Sequence, residues 1–160
     1  MTDARWFEVD SDVTAAIGHF EKSILLYRKG GFDEPGLGGY QAEMALMHSL
    51  QSAHTSLESA LVRILEILGE ETPAGHNRHV DIIRRAAASL PGKRPPILSP
   101  AIAEAVNETR KFRHRATHNY DSFEIRETSR TIEAAEMLMK GLAAEIAAFQ
   151  NSIDPPTEKP

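Results

Sequence analysis

One stretch of this sequence limits the fold more than any other. From Tyr40 to Leu68 no proline or glycine interrupts the chain, and Leu46, Leu50, Ala53, Leu57, Leu61, Ile64 and Leu68 recur at three- and four-residue steps. That spacing puts them in a continuous apolar stripe along one side of a helix of about six turns. A lone amphipathic helix of this kind gains too little to be stable, so the stripe must be buried against other helices. Gly69 is placed to stop it.

The rest of the chain supplies the partners. Ser11 or Asp12 can cap a first helix carrying Val13, Ile17, Phe20, Ile24 and Leu25, which leaves residues 1–10 as a flexible N-terminus. Residues 30–39 read GGFDEPGLGG and form a loop. A shorter helix follows with Val80, Ile83, Ala87 and Leu90 on one side, closed by Pro91, Gly92, Pro95 and Pro96. Ser99 and Pro100 make an N-cap and first-turn pair for a helix carrying Ile102, Val106, Thr109, Phe112 and Ala116. The HNYDS segment breaks that pattern. Asp121 and Glu124 have capping-box spacing ahead of a last helix with Ile132, Ala135, Leu138, Met139, Leu142, Ile146 and Phe149. Residues 151–160, IDPPTEKP at their end, are too polar and proline-rich to pack and read as a disordered tail. Period-two alternation of β-branched and aromatic residues is nearly absent. The expected fold is therefore all-α: an up-and-down bundle of four to five helices over residues 11–150.

Composition narrows the chemistry. The 160 residues include no cysteine, which excludes disulfides, thiolate catalysis and cysteine–zinc sites. No apolar run is long enough to span a bilayer, and MTDARWFEVD is not a secretion leader, so a soluble cytoplasmic protein is expected. The formal net charge of −5 speaks against a dedicated duplex-DNA binder. Basic residues still cluster, sparsely at Lys93 and Arg94 and densely at Arg110, Lys111, Arg113, His114 and Arg115. Local potential, not net charge, is what a phosphate feels.

Several polar residues sit where apolar ones belong. With Ile102 at zero on a 100° wheel, Arg113 falls at about 20°, inside the apolar stripe, and Tyr120 at about 0°. A guanidinium there either snorkels to the rim or meets a carboxylate, a phosphate or a wet cleft between subunits. His118 lies about 140° around from Arg113, so the two converge only through a helix bend or a second copy of the chain. Its alternative is a polar residue at the carbonyl end of the helix dipole. His54 lies within the leucine stripe with Glu58 one turn on, either as a satisfied core pair or as a support that orients Arg113. His114, His118 and Asp121 have metal-ligand spacing, but the flanking Arg113 and Arg115 repel a cation, so neither a metal nor another cofactor is expected. His76 and His79 read as surface residues of a loop.

The segment Arg113-His114-Arg115-Ala116-Thr117-His118-Asn119-Tyr120 has arginine, four residues, histidine, one residue, tyrosine. In a late helix of a small bundle, ahead of a long terminal helix, it resembles the signature of HEPN-domain proteins, specifically HepT-like toxins paired with small nucleotidyltransferase antitoxins. The resemblance covers about Val13 to Phe149. His114 stands where the family often has asparagine, and Asn119 where it often has glycine.

The resemblance implies a helical bundle that dimerises through the motif helices and cleaves RNA without metal, as a toxin of a toxin–antitoxin pair. Arg113 and His118 of both subunits then line one composite cleft as phosphate clamp and general acid/base. Arg110, Arg115 and His114 guide the phosphate backbone. Tyr120 matches a tyrosine that a nucleotidyltransferase modifies with adenylate in some pairs. The alternatives are a non-catalytic module that binds a nucleotidyltransferase or a nucleotide, and a structural dimer.

Overall fold

The computed structural model describes residues 4–118, 121 and 124–156. They form five α-helices: α1 Arg5–Lys29, α2 Leu37–Ile67, α3 Arg78–Ala87, α4 Pro100–His118 and α5 Ser129–Ile153, with a 3-10 turn, Ile125–Thr128, leading into α5. Among the described residues there is no strand, and Leu90 and Arg94 form an isolated bridge.

The four long helices close a ring in which α1 meets α2 and α5, and α4 meets α2 and α5. Cross-helix contacts give the directions. Ser23 meets Ser49, Asp12 meets Ser59 and Arg63, and Arg63 also reaches Glu8, so α1 and α2 run antiparallel. His54 meets Thr109 while Gln51 reaches Thr117 further along α4, so α2 and α4 are antiparallel as well. Ser99 meets Glu145, and Gly141 lies against Ile102, which sets α5 antiparallel to α4. The bundle is up-and-down, with α3 inserted between α2 and α4.

The α2 stripe is the core: Leu46, Leu50, Ala53, Leu57, Leu61 and Ile64 are buried. The helix ends in a Schellman pair, with the Gly69 N–H on the Glu66 carbonyl and the Glu70 N–H on the Leu65 carbonyl. Gly69 itself adopts φ +69°. On α4, Ile102, Val106, Thr109, Phe112 and Ala116 are buried as the spacing requires. Ser99 accepts the Ile102 N–H at 3.4 Å, the N-cap bond expected of it.

Several boundaries differ from the sequence reading. α1 starts at Arg5, not near Ser11, because Trp6 and Val9 extend the buried row of Val13, Ala16, Phe20 and Ile24 by two turns. Most of the N-terminal segment expected to be flexible is thus helical. Asp12 caps nothing; its carboxylate takes hydrogen bonds from Ser59 and Arg63. Leu25 is exposed. α2 begins at Leu37, and Gly39 is buried against the Phe32 and Glu34 carbonyls, an approach a side chain would block. α3 buries Ile82, Ile83 and Ala86, a face turned from the expected Val80–Ala87 row. α5 begins at Ser129. Glu124 and Thr128 make no side-chain cap bond, so the Asp121–Glu124 capping box does not form at the helix start. α5 also reaches Ile153, three residues into the segment expected to be a tail.

The insert between α2 and α4 is held by Arg94. Its guanidinium is buried, pairs through two nitrogens with the Glu70 carboxylate, and donates to the carbonyls of Arg85, Ala88 and Pro95. At the end of α3 it gives a donor to the Ala88 carbonyl and a second one to the Arg85 carbonyl, which also accepts the Ala88 N–H. Lys93 and Arg94 are therefore not a surface cluster: Lys93 is exposed and Arg94 is an internal clamp.

Candidate functional site

The candidate residues gather on the last two turns of α4 and the facing part of α2. Arg113 is half-buried on the side of α4 that meets α2, where its Nε donates to Thr55 Oγ1 at 3.2 Å. One turn on, Thr117 takes a 3.5 Å contact from Gln51. His118 is exposed, and its ring lies 4.4 Å from that of His114, tilted by 57°. The two histidines form an outward-facing i, i+4 pair, while Arg113 faces inward. Within this chain α4 does not bring Arg113 and His118 onto one face. Tyr120 and Asn119 lie outside the described residues.

Behind Arg113 runs a polar chain across three helices. His54 is fully buried, with Nδ1 2.7 Å from Thr109 Oγ1. Thr109 Oγ1 is also 2.8 Å from the Val106 carbonyl. Its single hydrogen serves one of these acceptors; when it goes to Val106, His54 Nδ1 carries the ring proton and donates. His54 Nε2 is 3.6 Å from Glu58 Oε2, an ion-pair distance too long for a hydrogen bond. Glu58 is bound at 2.7 and 2.9 Å by Nδ1 of His79. His79 is thus not a loop surface residue. It lies on the first turn of α3, half-buried over Glu58 because α3 packs on α2 there.

The electrostatics follow from this placement. Burial pushes the His54 imidazole below its usual range; Glu58 pulls it up, and the nearby Arg113 charge pushes it down again. His54 is neutral at pH 7. Burial raises the Glu58 carboxyl, but the hydrogen bonds from His79 and the closeness of both imidazoles outweigh it and hold the group at about 2. His54 and Glu58 sit together in the core, but among the described residues His54 Nε2 has no hydrogen-bond partner, so the pair is not fully satisfied. Among the described residues, Thr55 rather than either of them holds Arg113.

The remaining basic residues divide between two sides. Arg110 donates to Asn107 at 2.8 Å. Arg115 lies about 160° around α4 from Arg113 and faces the start of α5, where it shares a cleft of about 500 Å³ with Lys111, Arg126 and Arg130. Sequence reasoning passed over Thr55, Arg126 and Arg130, and read His79 as a loop surface residue. A carboxylate in the leucine stripe needs a donor, and Glu58 was the signal pointing to His79. Arg126 and Arg130 have only their i, i+4 spacing to mark them.

No curated protein and no solved structure matches the chain. The family profile described as HepT-like protein matches residues 45–153, from within α2 to the end of α5 and spanning α4 with its Arg113–His118 segment. With well over half of its length matched, the chain belongs to the HepT-like family of HEPN proteins.

Proposed function

We propose that this protein is a metal-independent endoribonuclease, the toxin of a toxin–antitoxin pair, working as a homodimer whose motif helices form one composite site. Membership of the HepT-like family points to a HEPN-type toxin or ribonuclease. The observation that carries the finer reading is the division of α4: Arg113 is inward and tethered by Thr55, while His118 is outward and free to meet substrate. A second copy placed on the exposed end of α4 supplies the groups that one chain keeps apart.

RNA brings its own nucleophile. In the proposed step the imidazole of one His118 takes the 2′-OH proton, the 2′-oxygen attacks phosphorus, and the P–O5′ bond breaks. The partner copy's equivalent histidine, protonated, gives its proton to the leaving 5′-oxygen. Arg113 binds the non-bridging oxygens and offsets the added charge of the phosphorane. The products are a 2′,3′-cyclic phosphate and a 5′-hydroxyl. DNA, lacking the 2′-OH, is bound but not cut. Tyr120 is the proposed acceptor of adenylate from a small nucleotidyltransferase antitoxin, and a charged adduct there excludes phosphate by charge and bulk.

The test is incubation of the purified protein with single-stranded RNA in EDTA, with analysis of the product ends and light scattering on the same sample. Cleavage to cyclic phosphate ends by a dimer is expected. Intact RNA from a folded dimer across structured and unstructured substrates favours the binding-module alternative, and a monomer at tens of micromolar contradicts the composite site.

A further inference from the structure

The cleft between the end of α4 and the start of α5 gathers several guanidiniums in one place. Elsewhere Arg28, Arg63, Arg84, Arg85 and Arg94 each pair with a carboxylate. In this cleft Arg115, Arg126 and Arg130 have no ion pair or hydrogen bond among the described residues, although Glu127 also lines it. Lys111 is paired with Glu108 at 3.0 Å. Two acids therefore face four bases, and the three guanidiniums keep their donors free.

The position matters as much as the charge. On the α4 wheel His118, Lys111 and Arg115 fall at about 160°, 180° and 220°, so the basic cleft begins beside the exposed imidazole. Its far wall is Arg126 on the 3-10 turn, with Ser129 and Arg130 on the first turn of α5. The positive end of the α5 dipole adds to the same potential. Guanidiniums with unused donors along a groove suit a chain of phosphates better than a single small anion.

We propose that this cleft binds the phosphodiester backbone of single-stranded RNA and leads the strand away from His118. The inference rests on the nuclease reading for the choice of RNA, but it concerns a surface apart from Arg113 and is tested by binding alone. Fluorescence anisotropy with a fully 2′-O-methylated RNA oligonucleotide, which cannot be cleaved through a 2′-OH, separates the two. Arg126→Ala/Arg130→Ala should weaken binding on the order of tenfold and make the log–log salt dependence shallower by about 1.4, the release expected for two single-strand phosphate contacts. A DNA oligonucleotide of the same sequence should show the same loss, because backbone contacts do not read the 2′-OH. Arg78→Ala, an exposed arginine at the start of α3, should leave both quantities unchanged. Unaltered affinity and salt slope in the double variant, an equal loss in Arg78→Ala, or a loss confined to RNA overturns the proposal. Failure of wild-type protein to cut ordinary RNA while these binding results hold would count against the nuclease reading and leave the cleft standing.

Discussion

His79 Nδ1 lies 2.7 Å from Glu58 Oε2, which ties the first turn of α3 to the middle of α2. The carboxylate is mostly buried, and the neighbouring imidazoles of His79 and His54 hold its pKa down to about 2.

This arrangement makes stability fall in acid in two stages. His54 has its pKa depressed in the folded state, so the unfolded chain binds more protons as pH drops through the ordinary histidine value near 6.5 and below. Glu58 is depressed from 4.5 to about 2, so its contribution is complete above 4.5 and is lost between there and about 2. Allowing for solvent screening at the half-exposed His79, the Glu58 part is on the order of 1 to 2 kcal/mol. Urea unfolding at pH 7.5, 5.5 and 3.5 should show stability decreasing at each step. Glu58→Gln should flatten the lower step; an unchanged pH profile in that variant would show that the carboxylate carries none of it.

Arg94→Ala should be among the most damaging substitutions outside the main core. It takes from the Glu70 carboxylate the guanidinium that does most to hold it below its usual range, leaving it only the longer Arg85 contact, and it removes the Arg94 donors to the Ala88 and Pro95 carbonyls. A cost of roughly 3 to 5 kcal/mol is expected by denaturant titration. Arg94→Lys should recover little of it, since an ammonium cannot reproduce the planar fork. A loss under about 1 kcal/mol would mean the insert is held by its apolar contacts instead.

Thr55→Val tests the tether on Arg113. It removes the acceptor for Nε at nearly constant volume, costing about 1 kcal/mol of positioning, or on the order of fivefold in cleavage rate. Because the loss is in holding the clamp and not in binding the strand, kcat should fall more than KM rises, and Thr55→Ser should restore the rate. A variant with wild-type kcat would remove Thr55 from the account.

Much of the fold was legible because it is written as spacing. The α2 stripe, the buried face of α4, the Ser99 cap and the Gly69 stop all follow from local periodicity and backbone preference, and all are present. The misses share a cause. Asp12 resembled a cap, but tertiary contacts with Ser59 and Arg63 claimed it. Arg94 read as half of a small basic cluster with Lys93 because no local pattern announces that a loop will fold around a guanidinium. His79 read as surface for the same reason: its partner lies 21 residues away on another helix. On α4 the wheel placed Arg113 inward and His118 outward correctly, while the proposed pairing of two copies is not a property of one chain's spacing.

The central claim is that Arg113 and His118 together perform metal-independent cleavage. Its most direct test is the single-turnover rate on one defined single-stranded RNA in EDTA for wild type, Arg113→Ala and His118→Ala, each verified as folded and dimeric. The account predicts cyclic phosphate ends from wild type and a loss on the order of 100-fold or more in each variant, with the stability of His118→Ala unchanged because that side chain is exposed. Cleavage that persists at the wild-type rate in His118→Ala would contradict it.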